Sequence, residues 1–418
     1  MTSMTILDLS TFDQGKQLGR EPLSIDAASL YKAFEKVKDR RGKKGKRYPL
    51  ALILTLILFG KMVGETTIEG IIDWINFRKN KVKKLLCWPK DFPSYRTYER
   101  VLSLCDPQEI VEAIAGVVTK ARAQERCGEE PARLLQNTTE DERTAHTAMD
   151  GKTLRGTLNH GKETQPSVHI LTLYDCDTGI TVGQYVYKKN ESEISAADQL
   201  LRSNILRNRI VSTDALHTHK RWCIGVQLSG GYYLTTVKEN TPLLYENLSI
   251  YFGDADLLRQ ECEYYKKVQK GHGRLEVREI WTSPHMNSYF SRDWAGVAQI
   301  FMIRKTVIEK GEKYITLRYG ITSLPPKKAN AQRLLEIKQN HWKIENRSHY
   351  RRDVTLGEDA CQVRINRSPE VLAALNGGIL AFMDFLGVKN LAKQLRYYNA
   401  NPEDAIQLLF GKLSRQNK

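Results

Sequence analysis

Asp150, Asp214 and Glu345 are the residues of this chain whose surroundings most suggest chemistry. Asp150 closes the apolar run Thr147-Ala148-Met149, and Asp214 closes Ile210-Val211-Ser212-Thr213. Such runs read as strands, and an Asp at the end of a strand stands at the rim of a sheet, where carboxylates can converge on a metal. Glu345 lies in His341-Trp342-Lys343-Ile344-Glu345-Asn346, inside a stretch that reads as one helix over 329–353. Counted by the helical repeat, His341, Glu345, His349 and Arg352 share one stripe, while Leu334, Leu335, Ile337 and Ile344 face a core. One Glu on a helix is ordinarily a solvated charge. The two acids at strand ends make it a candidate third oxygen donor, with Glu358 and Asp359 as its competitors.

The elements needed to carry these acids can be read along the chain. Strand-like alternation runs over 145–149, 167–174 and 180–187, a helical pattern over 193–203, a fourth strand over 209–213, a helix over 219–228 and a fifth strand over 231–237. Three strands, helix, strand, helix, strand, with acids after the first and fourth strands, is the order of ribonuclease H-like folds. The predicted class is therefore α/β: a ribonuclease H-like core over 145–240 and 327–386, interrupted by a β-rich insertion over 241–326. Ahead of it stands a small all-helical domain over 28–126, with Pro49 opening one helix and Thr67 preceding the next. Its role is DNA end binding or packing against the next domain. A flexible arm over 1–27, a charged linker over 127–144 and short C-terminal helices over 387–418 complete the organisation.

Composition narrows the partner. The net charge of +16 and pI near 9.4 point to a polyanion, nucleic acid first. Eight of the twelve residues over 36–47 are basic, among them Lys43, Lys44, Lys46 and Arg47. That run reads either as a solvated loop or as a contact to the phosphate backbone. Arg96 and Arg100 project together from a short helix in the same region. The apolar run over 50–59 is too short for a bilayer span of roughly 20 residues, and no secretory signal is visible at the start, so a cytoplasmic location is expected. The seven cysteines are scattered with no Cys-x-x-Cys pair, which argues against a disulfide framework and a zinc ribbon. No dinucleotide or Walker-type glycine motif occurs.

Several ordered blocks resemble one family: Asp150-Gly151-Lys152-Thr153-Leu154-Arg155-Gly156, Thr213-Asp214-Ala215, Val237-Lys238-Glu239-Asn240, His272-Gly273-Arg274-Leu275-Glu276-Val277-Arg278, and His341 to Asn346 followed by Asp353-Val354 and Glu358-Asp359. With Arg47-Tyr48-Pro49-Leu50 and Pro93-Ser94-Tyr95-Arg96-Thr97, they resemble the H-repeat-associated transposases of the ISAs-one insertion-sequence type, which carry an Asp-Asp-Glu triad. His219, Gln339 and Tyr350 stand where members often have Gln, Arg and Trp.

The resemblance implies a nucleoid-associated bacterial enzyme that binds the terminal repeats of an insertion sequence in double-stranded DNA, cleaves them and transfers strands, as a homodimer on DNA. Two Mg2+ ions, with Mn2+ able to substitute, would be held by Asp150 between them, Asp214 on one and Glu345 on the other. Lys152, Arg155 and Lys238 would contact phosphates, and His341, Asn346, His349 and Arg352 would line the DNA. His272 and Arg274 would sit in a glycine-bracketed turn that either enters DNA or is a plain hairpin. The alternatives are a domesticated DNA-binding protein with the same fold and a hydrolytic nuclease without strand transfer.

Overall fold

The computed structural model describes residues 25–43, 46–128, 144–157, 168–188, 192–201, 206–271 and 273–414. Lys44, His272, most of the predicted linker and nearly all of the predicted arm lie outside these ranges.

Nine strands form one mixed sheet: β1 Ala145–Thr153, β2 Val168–Asp175, β3 Ile180–Lys188, β4 Arg209–Thr213, β5 Tyr232–Val237, β6 Glu263–Gly271, β7 Arg274–Ser283, β8 Gln299–Glu309 and β9 Glu312–Thr322. Their order across the sheet is β3-β2-β1-β4-β5-β9-β8-β7-β6. β1 is antiparallel to β2 but parallel to β4, and β4 is parallel to β5. The crossover helices that parallel pairs require are Glu193–Leu201 and Lys220–Leu228.

Alternation along the strands sorts the two faces. Met149, Leu171, Leu173, Val211 and Tyr233 pack with Ala196, Ala197, Trp222 and Val226 of the crossover helices. The next residues along, Ile210 and Leu234, pack instead with Leu334, Leu335 and Ile337 of the helix Ala331–His341. Because the side-chain period is two, Asp150 and Asp214 share the parity of Ala148 and Ile210 and so belong to the face covered by the helix region that carries Glu345.

The insertion expected to be β-rich begins with two helices, Pro242–Gly253 and Ala255–Gln260. Pro242 supplies a helical φ at the first position of one, and the Asp254 carboxylate caps the other by accepting from the Asp256 and Leu257 amides. The four strands that follow do not form a separate layer. The inner end of β9, Tyr319–Thr322, pairs with β5 and continues the sheet, whereas its outer half is exposed.

The helices that begin the chain, α1 Leu30–Phe34, α2 Leu50–Met62, α3 Ile68–Phe77, α4 Lys79–Leu85, α5 Tyr95–Leu104 and α6 Pro107–Gly128, do not close a core of their own. Helix α2 is buried along its whole length, so it needs neighbours on every side. The far end of the chain helps supply them: Ser368–Phe385, Leu391–Ala400 and Pro402–Phe410 enter the same apolar cluster, with Phe410 stacked on Tyr31 at 5.1 Å. Phe410→Ala should therefore destabilise the protein by about 3–5 kcal/mol in a denaturant titration. Limited proteolysis should reveal new cuts in α1–α6, hundreds of residues away in sequence.

Candidate metal-dependent active site

β1 does not stop at Asp150. It continues to Thr153 because β2 pairs with it throughout, Asp150 lying opposite Thr172. What ends nearby is the pairing with β4, whose last matched pair is Ala148 with Ser212. The same register extended by two residues sets Asp150 abreast of Asp214, just past the end of β4. Adjacent strands lie about 4.8 Å apart, so the two carboxylates leave neighbouring strands on one face.

Glu345 arrives from a helix that changes character. Ala331–His341 is α-helical, capped by the Asn330 side chain, but Ile344–His349 and Arg351–Thr355 are π-helical. The single straight helix expected over 329–353 is thus replaced by an α segment and a wider spiral, of a kind often found at functional sites. The stripe of four residues is broken as a result. Glu345 and Asn346 are exposed and His349 is partly buried, whereas His341 and Arg352 turn inward.

Electrostatics tie the three acids together. The Asp150 carboxyl is pushed up to about 7, first by burial and then by the charges of Asp214, Glu345 and Glu193, with the Gly151 amide partly offsetting them. Glu345 is raised by burial and by Asp214. Two carboxylates about 5 Å apart at an effective dielectric near 20 repel by roughly 3 kcal/mol, more than a typical net hydrogen bond of about 1 kcal/mol returns. A cation at this rim would relieve that repulsion. The donor set is hard oxygen, which suits Mg2+, Ca2+ or Mn2+ rather than a thiophilic metal. Among the described residues no three His, Cys, Asp or Glu side chains stand close enough together to hold a metal ion in this conformation.

The segment from Asp150 to Gly156 has a residue-by-residue account. A Cβ on Gly151 would come within 2.6 Å of the Glu193 carboxylate, which sits under the strand on the opposite face. Glu193 accepts from Tyr187 Oη at 3.0 Å and pairs with His217 Nε2 at 2.8 Å. A Cβ on Gly156 would strike the Cys361 carbonyl. Lys152, expected at a phosphate, is instead buried in an ion cluster with Asp353, Glu358 at 2.9 Å and Asp359 at 3.6 Å. Arg352, expected beside DNA, is 1% exposed, donates from Nε to Glu358 at 2.9 Å and sets Nη2 2.8 Å from the other oxygen of that carboxylate as an ion pair. Both face inward because their charges are matched there, and the same pairing removes Glu358 as an open third acid. Arg155 remains on the surface, 3.7 Å from Asp359.

Other candidates divide similarly. His349 Nδ1 lies 3.5 Å from an Asp150 oxygen. Lys238, Arg274, Lys43, Lys46, Arg47, Arg96 and Arg100 are exposed, and Gly273, with φ of +74°, turns the chain from β6 into β7. His341 is buried and hydrogen-bonded to Ser212, not presented to a ligand. Lys338, unremarked in the sequence, is buried beneath Asp214, where its ammonium donates to the Thr213 carbonyl at 3.3 Å. Burial and the Arg318 charge push it down to about 8, against the opposing pull of Asp214. Glu193, whose charge acts on Asp150, and its partner His217 were also missed, since nothing local in the sequence relates them to Asp150.

Residues 141–376, more than half of the chain, match the family described as Transposase DDE domain, and residues 31–117 match DDE_Tnp_1-associated. The chain belongs to the DDE transposase family, in the company of H-repeat-associated members. Among its relatives in Escherichia coli K12 are Putative protein YbfL, 26% identical, and H repeat-associated putative transposase YhhI, 25% identical. Each alignment covers 84% of this chain and 89% of the relative. A solved structure of piggyBac transposase in a synaptic complex with hairpin DNA covers 94% of this chain and 80% of its own at 11% identity and a TM-score of 0.36, too distant to carry an argument. No helix among the described residues is long and apolar enough to cross a membrane.

The ion cluster yields a pH prediction. Burial alone would raise the Glu358 carboxyl, but the charges of Arg352 and Lys152 and hydrogen bonds from Arg352 and Asn376 outweigh it and hold it at about 2. The unfolded value is about 4.3, so this stabilisation is fully present above that pH and is lost as pH falls towards 2. Glu358→Gln should lower stability near neutrality by about 3–5 kcal/mol, because it strands buried cations. It should also flatten the acid limb of the melting temperature between pH 5 and pH 2, roughly the span between these two values.

Proposed function

We propose that this transposase binds the terminal repeats of an insertion sequence and performs divalent-metal-dependent cleavage and strand transfer on double-stranded DNA, using Asp150, Asp214 and Glu345. What supports the reading is that Asp150 and Asp214 leave neighbouring strands abreast on one face, with the Asp150 carboxyl raised first by burial and then by the charges of Asp214, Glu345 and Glu193. The strand order β3-β2-β1-β4-β5, with β1 and β4 parallel and the acids at their neighbouring ends, supports a ribonuclease H-like core extended by β6–β9.

Mg2+, or Mn2+ in its place, would lower the pKa of the attacking water or 3′-hydroxyl and stabilise charge on the leaving oxygen. The chain's own residues do the rest. Asp150, Asp214 and Glu345, each coupled by charge to another of the three, would hold the ions. His349 Nδ1 lies 3.5 Å from the Asp150 carboxylate on the helix side. Exposed Lys238, Asn346, Arg155 and Arg274 would hold the phosphate backbone near the cut. Lys43, Lys46, Arg47, Arg96 and Arg100, on the helical layer, would hold it further away. Pairing two element ends requires two copies of the chain, so a homodimer on DNA belongs to this reading, as does a cytoplasmic, nucleoid-associated location.

Incubated with the flanking repeats and Mg2+, the wild type should nick and join, while Asp150→Asn, Asp214→Asn and Glu345→Gln should bind the same DNA and leave it intact. Equal nicking by Glu345→Gln would remove that residue from the site. Cleavage of every substrate without joining of a supplied pre-cut end would favour the nuclease alternative.

Charge removal in the basic loop makes a separate prediction. The triple change Lys43→Ala, Lys46→Ala, Arg47→Ala should weaken binding to all DNA sequences alike and reduce the slope of log affinity against log salt by about 1 for each phosphate that the loop no longer neutralises. An unchanged slope would assign that loop to solvent.

A further inference from the structure

One buried hydrogen-bonded chain touches every element that carries an acid. His146 is on β1, four residues before Asp150; Ser212 is on β4, two before Asp214; His341 ends the helix that leads to Glu345, four residues further on. Nε2 of His146 and Oγ of Ser212 are 2.6 Å apart, and Oγ of Ser212 and Nδ1 of His341 are 3.0 Å apart. The three residues are at most 7% exposed. Four and two residues along their strands keep the parity of the acids, so the chain lies on the same face of the sheet, directly below the rim.

The chemistry of the chain makes it selective. Burial, followed by nearby cationic charge, pushes His146 down to about 3, and burial and Lys338 push His341 well below its usual value. With both imidazoles neutral, Ser212 Oγ either accepts from both rings or accepts from one and donates to the other; in each case both contacts are directional hydrogen bonds. The bonds therefore fix both strands and the helix relative to one another in direction as well as distance. Apolar contacts alone would tolerate sliding.

We propose that Ser212, bridging His146 and His341, is a positioning residue that sets the two strands and the helix in register, so that Asp150, Asp214 and Glu345 can close on a divalent cation without DNA. The inference rests on the metal-dependent reading above. Ser212 touches no reacting atom. Its effect passes through the backbones of β4, β1 and the helix to the acids beyond.

The test is Mn2+ titration of the full-length chain without DNA, with free Mn2+ followed by its paramagnetic resonance signal. Phe410→Ala serves as a destabilised control far from the rim. Ser212→Ala should weaken Mn2+ binding by about tenfold or more, the scale seen when groups that orient metal ligands are removed, while Phe410→Ala should leave it unchanged. Ser212→Thr, which keeps the hydroxyl, should restore most of the affinity. Should Ser212→Ala not accumulate as folded protein, His341→Leu severs only the link from β4 to the helix and should weaken binding likewise.

Wild-type affinity in Ser212→Ala, or an equal loss in Phe410→Ala, overturns the proposal. A wild type that takes up Mn2+ only with DNA overturns it too but leaves the cleavage reading standing, because that reading is tested with DNA present. Undiminished Mn2+ binding by Asp150→Asn would overturn both.

Discussion

Like-charged carboxylates held at one rim are the constraint around which the rest of this molecule is arranged. Burial and the charges of Asp214, Glu345 and Glu193 raise the Asp150 carboxyl, so its charged form is disfavoured where it stands. The elements that bear Asp150, Asp214 and Glu345 must therefore be held by contacts formed elsewhere. Parallel pairing of β1 with β4 stops just short of the acids, so the strands are fixed below the rim while the side chains emerge above it.

Two buried polar assemblies flank that rim and brace it. On one side the His146, Ser212 and His341 chain ties both strands to the helix. On the other, Lys152, Arg352 and Glu358 lock the continuation of β1 to the π-helical segment and to Asn376 of the long helix Ser368–Phe385. Each group is costly to bury alone and acceptable only because its partners are present. The polar interior thus specifies one arrangement of the acids, a task for which the apolar clusters on the two faces are less selective.

The wider architecture follows from the same need. The helical layer joins the first and last parts of the chain in one core, and the helix Ser368–Phe385 connects that core to the sheet through β3 and the ion cluster. Cations that are not neutralised inside remain on the surface, on the basic loop, α5 and the turns beyond β5 and β6. The net charge of +16 is carried largely by these exposed residues, since buried Lys152, Arg352 and Lys338 are paired with acids or with a carbonyl oxygen.

The sequence by itself determined the local quantities: the alternation that makes β1 to β5, the apolar length of α2, the acids after the apolar runs, and the overall positive charge. These depend on neighbours two to four residues apart, which the chain displays directly. It did not reveal that β1 runs on past Asp150, since that depends on β2 being beside it. Nor did it reveal that the helix around Glu345 widens and breaks the expected stripe. The inward turn of Lys152, Arg352 and His341 was equally hidden: a basic residue near an acid reads the same whether its partner is a phosphate or a buried carboxylate. Only the tertiary structure decided between them, because Glu358, Asp353 and Ser212 reach those side chains from 129 to 206 residues away or around a π-helical turn. The balance of desolvation against pairing, which settles where a charge resides, exists only once the chain is folded.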